Sequence, residues 1–254
     1  NNKLKNEYEI QAMYLQLQSL VHKVVNDNRI PITLGGDHSI AMGSISANAD
    51  NIVNGDDMCV LWIDAHADIN TVKTTRTGHF HGMPLSFLIR QIEHTFNNPN
   101  GNYLKIKPCL NANSIGFIGL RDVESSEIHM IEKLNICYYS TQDIDRIGIN
   151  EVIARTLDRI NPKLDKRIHI SFDVDAIDQS IAPSTGTPVP GGLTLREAFC
   201  IGEEIFKTNK LCGLDFVELN PMIGTESDVK KTMDCALNVI LSFLGKSRIN
   251  FIKS

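Results

Sequence analysis

The chain has 254 residues, enough for one large α/β domain around a single core. Hydrophobic residues make up 42% and charged residues 22%, ordinary globular usage that excludes a disordered, collagen-like or membrane-dominated chain. A net charge of −5, with no run of Lys and Arg long enough to form a phosphate-binding stripe, argues against a nucleic-acid partner.

The first predicted element is a helix from about Glu7 to Val25, where Ile10, Met13, Leu17, Leu20, Val21 and Val24 recur at threes and fours. Six short runs rich in apolar or β-branched residues then read as strands: 30–34, 58–63, 114–118, 136–139, 168–172 and 211–217. Helical segments lie between them, and two carry capping-box starts, Thr194-Leu-Arg-Glu197 and Thr225-Glu-Ser-Asp228. Parallel strands need long crossovers, so this alternation predicts a parallel sheet with helices on both faces. No internal repeat, low-complexity tract or linker divides it.

There is no stretch of 18 apolar residues and the N-terminus is polar, so neither a membrane span nor a signal peptide is visible. The chain starts Asn-Asn-Lys rather than with Met, which leaves an upstream targeting segment open. Six cysteines are scattered without a C-x-x-C pair, several within apolar runs, and this usage points to a reducing, cytoplasmic setting.

Chemistry concentrates in three clusters: Gly-Gly-Asp-His (35–38), Asp-Ala-His-Ala-Asp (64–68) and Asp-Val-Asp (173–175). Each follows or ends a run that reads as a buried strand, and ligands of open α/β sheets bind outside the carboxyl ends of strands. His38, Asp64, His66, Asp68, Asp173 and Asp175 are therefore expected at one edge of the sheet. Taken singly, each has an ordinary alternative: a helix cap for Asp64, a loop histidine for His66, an Arg pair for Asp173. Together, four carboxylates with no comparably placed Arg or Lys repel one another and call for a cation. A hard, oxygen-rich set with two imidazoles suits Mn²⁺ or a similar first-row ion better than thiolate-loving metals.

The segments Gly-Gly-Asp-His-Ser (35–39), Asp-Ala-His-Ala-Asp-Ile-Asn (64–70) and Ser-Phe-Asp-Val-Asp (171–175) resemble the ureohydrolases. His-Gly-Met-Pro (81–84), Gly-Leu-Arg-Asp-Val (119–123), Gly-Thr-Pro-Val-Pro-Gly-Gly-Leu-Thr (186–194) and Val-Glu-Leu-Asn-Pro (217–221) narrow the resemblance to the arginases, over about residues 30–245. The resemblance implies a three-layer α/β/α sandwich with a mainly parallel sheet, a single domain over residues 1–254, and a first strand of that sheet upstream of residue 1. It implies two Mn²⁺ per subunit, one held by His38, Asp64, Asp68 and Asp173, the other by Asp64, His66, Asp173 and Asp175. It also implies a homotrimer or hexamer.

The implied reaction is hydrolysis of L-arginine to L-ornithine and urea by a metal-bridging hydroxide that attacks the guanidinium carbon. Ornithine would be available to polyamine synthesis or a urea cycle. The resemblance gives Asp68 the proton transfer to the leaving amine, Glu218 the guanidinium and His81 proton shuttling; Thr187 supports Glu218 or the guanidinium, or is a turn hydroxyl. Asn70, Thr75, Thr77 and His79 fall where the substrate carboxylate is contacted, and Asp122 and Glu124 where its amino group is. Three of these depart from the usual pattern: Thr77 for Ser, His79 for Asn and Glu124 for Asp. Two alternatives stay open, a ureohydrolase of agmatine or a guanidino acid, and a metal-stabilised binding protein that kept the fold without turnover.

Overall fold

The computed structural model describes residues 4–51, 57–93 and 105–249, so the expected domain over residues 1–254 includes segments outside the described residues. The helix α1 spans Glu7–Asn26 and is followed by β1 (Ile32–Leu34) and α2 (Ala41–Asp50). Next come β2 (Met58–Ile63), the short α3 (Pro84–Leu88), β3 (Ile115–Leu120), α4 (Ser125–Leu134) and β4 (Cys137–Ser140). The chain continues through α5 (Thr141–Ile147), α6 (Ile149–Ile160), β5 (Arg167–Asp173), α7 (Leu195–Lys207), β6 (Leu211–Val217) and α8 (Glu226–Phe243).

All six strands run parallel in the order β1-β6-β5-β2-β3-β4. The sheet centre is buried on both faces, and the two-residue period of a strand divides its side chains between two cores. Cys59, Leu61 and Ile63 of β2 join α6, α7 and α8 on one face. Met58, Val60 and Trp62 join α2, α3 and α4 on the other. This is the expected three-layer α/β/α sandwich.

One expected buried strand is not buried. At β1, Ile32 is 40% and Leu34 69% exposed, because this strand forms the sheet edge with β6 as its neighbour. The thiols behave as anticipated: all six are free and five are buried, and burial pushes Cys59, Cys109 and Cys212 up to about 12, where a thiol is inert. Among the described residues no helix is long and apolar enough to cross a membrane.

Candidate active site

Four neighbouring strands, β1, β6, β5 and β2, end at the same sheet edge, and the segments just beyond them carry His38, Glu218, Asp173 with Asp175, and Asp64 to Asp68. Local chemistry turns the chain there. Asp37 accepts from the Ser39 N–H at 2.9 Å and starts the 3₁₀ turn His38–Ile40, while Asp173 accepts from the Asp175 N–H at 2.8 Å and starts the turn Val174–Ala176. Gly119 has φ +102°, and a Cβ there would sit 3.2 Å from the Asp64 carbonyl oxygen, so only glycine lets the end of β3 approach this loop. Asp68 and Glu218 both take the left-handed region, with φ of 50° and 63°, which a non-glycine residue holds at a cost.

The six expected ligands come together. His38 Nδ1 lies 3.0 Å from Asp64 Oδ2, 3.2 Å from Asp68 Oδ2 and 3.2 Å from Asp173 Oδ2. His66 Nδ1 lies 3.1 Å from Asp175 Oδ2 and 3.5 Å from Asp64 Oδ1. Asp64 thus belongs to two clusters, His38–Asp64–Asp68 and Asp64–His66–Asp175, in each of which the ligand atoms lie within 4.8 Å of one another. His38 and the four carboxylates are buried, and His66 is partly open.

The electrostatics are those of a site missing positive charge. Burial and the Asp64 charge push Asp68 up to about 8, and burial with Asp175 and Asp64 pushes Asp173 well above the usual carboxylate range. Asp175 is raised by burial and Asp64. Burial pushes Asp64 the same way, but His38 and His66 outweigh it and hold its carboxyl low. Burial likewise disfavours the His66 imidazolium, yet Asp175 and Asp64 raise it to about 12. A positive charge among these groups, proton or cation, relieves the repulsion between the carboxylates.

The donor atoms fit a divalent first-row ion. His38 Nδ1 is buried and makes no hydrogen bond although three carboxylate oxygens surround it. Ligands at right angles about an ion at roughly 2.1 Å would lie about 3 Å apart, which is the spacing seen. Groups behind the ligands hold them in place. His38 Nε2 pairs with Ser171 Oγ at 2.8 Å, its ring stacks on Trp62 at 3.9 Å, and Trp62 Nε1 donates to Asp64 Oδ2 at 3.0 Å.

Arg121 feels the charge of Asp175, Asp64 and Asp173, but its donors go to backbone rather than to those carboxylates. Its guanidinium donates to the carbonyls of Asp175 at 2.6 Å, Val189, Pro190, Gly119 and Ala176, so its donors are taken up by backbone and it steadies the loops around Asp175. Arg121 stands inside the Gly-Leu-Arg-Asp-Val motif, which marks the segment but does not by itself give this role. The Thr187 hydroxyl donates to Asp175 Oδ2 at 3.1 Å.

A cavity of about 350 Å³ opens over this cluster. His66, Asp68, Asp173, His81, Thr187 and Glu218 line its floor and walls, together with Asn70, Thr75, Thr77, Asp122 and Glu124. The His79 ring meets that of His81, a residue of this wall, edge-on at 5.3 Å. Glu218 Oε1 accepts from the His38 N–H at 2.8 Å, and burial raises its carboxyl to about 6. Burial also lowers the His81 imidazole, which favours its neutral form. Glu127, unmarked by any motif, accepts from the N–H groups of Ile69 at 3.2 Å and Glu124 at 3.1 Å and so ties the two sides of the cavity together. A larger cleft of about 730 Å³ lies at the amino ends of the strands, beside Arg29, Asn48 and Arg167, and holds none of these residues.

A parallel sheet that gathers two imidazoles and four carboxylates beneath an acidic cavity defines a metal-hydrolase class of site. The arginase family model matches residues 2–245. Human "Arginase-2, mitochondrial" is 45% identical over 98% of this chain and 69% of its own length, and the hepatic arginase of Aquarana catesbeiana is 43% identical over 98% of this chain and 76% of its own. Among solved structures, arginase from Bacillus subtilis superposes with a TM-score of 0.86 at 32% identity, covering 98% of this chain and 82% of that one. The chain belongs to the arginase family. It spans from 62% to 76% of the length of curated relatives such as these.

Proposed function

We propose that this protein is an arginase, hydrolysing L-arginine to L-ornithine and urea with two Mn²⁺ per subunit. The observation that carries the proposal is the position of Asp64, shared by two ligand clusters beneath a cavity that Glu218 also lines. His38, Asp64, Asp68 and Asp173 would hold one ion, and Asp64, His66, Asp173 and Asp175 the other. Bound there, the ion pair supplies Lewis acidity and brings the pKa of water from about 15.7 toward neutrality.

The remaining work falls to the chain itself. Glu218 pairs with the substrate guanidinium and fixes its carbon above the cluster. Asp68 accepts the proton of the attacking water and delivers it to the leaving amine. His81, half-buried at the cavity wall, carries protons between site and solvent, a task suited to an imidazole that is neutral near pH 7. Thr187 steadies Asp175. Asn70, Thr75 and Thr77 address the carboxylate and Asp122 and Glu124 the amino group of the substrate. We infer a homotrimer or hexamer and a cytoplasmic setting, with an upstream targeting segment left open.

Urea release from arginine and from agmatine, each with added Mn²⁺, tests the proposal. Urea from arginine is expected. Urea from agmatine alone would transfer the site to the agmatine alternative, and a manganese-loaded protein that turns over no guanidine would make it a binding protein.

A further inference from the structure

Arg76 lies on the cavity wall between Thr75 and Thr77, and among the described residues it is the only Lys or Arg there. The same cavity is lined by Asp122, Glu124 and Glu127, so it offers both a cationic group and anionic ones. Arg76 is mostly solvent-exposed, with Nε 3.9 Å from Glu124 Oε2, at the outer limit of an ion pair. An exposed pair at that distance is weak and readily exchanged.

Asn70 adds a donor to the same cavity. Its Oδ1 accepts from Thr74 Oγ1 at 2.7 Å and from Ser126 Oγ at 3.3 Å, which occupies the amide oxygen and leaves the NH₂ as the group it has to offer. A lining that offers guanidinium, amide N–H and hydroxyl beside carboxylates matches an α-amino acid head, whose carboxylate and ammonium lie one carbon apart. A planar guanidinium binds carboxylates in fixed, often bidentate geometry.

We propose that Arg76 is a specificity-determining residue that reads the α-carboxylate of the substrate, exchanging Glu124 for it, and that disfavours the decarboxylated guanidine. The inference rests on the arginine-hydrolysing reading above and names the group that separates arginine from agmatine. Agmatine carries a guanidinium and an ammonium with no carboxylate, so Arg76 gives it only repulsion. Discrimination built from an attractive term for one ligand and a repulsive term for its competitor is the economical form of specificity.

Arg76→Gln tests this, measured as KM and kcat on arginine and kcat/KM on agmatine, with Kd of L-ornithine read by calorimetry. The expected result is a rise of about tenfold in arginine KM and ornithine Kd, kcat within about twofold, and agmatine kcat/KM unchanged or improved. Arg76→Lys, which keeps the charge but loses the planar fork, should recover part of the loss. Unchanged arginine KM and ornithine Kd would overturn the inference, as would an equal loss on arginine and agmatine. If the unsubstituted enzyme released no urea, the reading beneath would fall, and ornithine binding would still decide: a tenfold weaker Kd in the variant supports the role of Arg76, an unchanged one removes it.

Discussion

Asp64 and Asp173 lie at the ends of neighbouring central strands, and each has one oxygen within 3.2 Å of His38 Nδ1. Asp173 Oδ1 also accepts from the Asp175 N–H, so this one carboxylate shapes the turn that presents the next ligand. Asp173→Ala is expected to lose both bound manganese and nearly all urea release; metal analysis finding two ions per chain in the folded variant would refute a bridging role. Glu218 sets a different expectation. Its carboxyl, raised to about 6 by burial, must be ionised to pair with a guanidinium. The paired form is therefore lost as pH falls through about 6, and arginine KM should climb below that pH. A KM flat from pH 5 to 8 would contradict the pairing.

At the scale of elements, ligand placement depends on how firmly the helices clamp the sheet. α7 and α8 pack so closely that a Cβ on Gly202 would run into the Ser242 side chain and the Phe243 backbone. Gly202→Ala should cost about 1–3 kcal/mol of stability, with urea release per folded molecule nearly unchanged. Thermal melting matching the parent would show that the contact gives way. The same scale shows what could be read beforehand. Runs of apolar residues located every strand, and β2 and β6 to the residue, because their side chains are buried on both faces. The boxes at Thr194 and Thr225 were visible, whereas the one at Ser140, where Asp143 accepts from the Ser140 N–H, was not singled out. The burial expected at β1 fails because a strand's own residues do not say whether it will lie at an edge. The ligands were legible through their spacing at strand ends. Ser171 and Arg121 stand inside motifs, but their roles, like that of Glu127, exist only through contacts that span long stretches of chain.

For the molecule as a whole, the fold concentrates four buried carboxyl groups at one sheet edge, where burial and mutual repulsion raise Asp68, Asp173 and Asp175 together. That cluster costs stability unless cations neutralise it. Ions that bind the folded chain and not the unfolded one stabilise it by mass action, about 2.7 kcal/mol at a hundred times Kd. The central claim, that two ions share Asp64 and together create the hydrolase, is tested most directly by returning Mn²⁺ to metal-stripped protein while bound metal, melting temperature and urea release from arginine are followed together. Binding should saturate at two ions per chain, with melting temperature and urea release rising to plateaus at that stoichiometry. Full urea release from the stripped protein, or saturation at one ion, would contradict it.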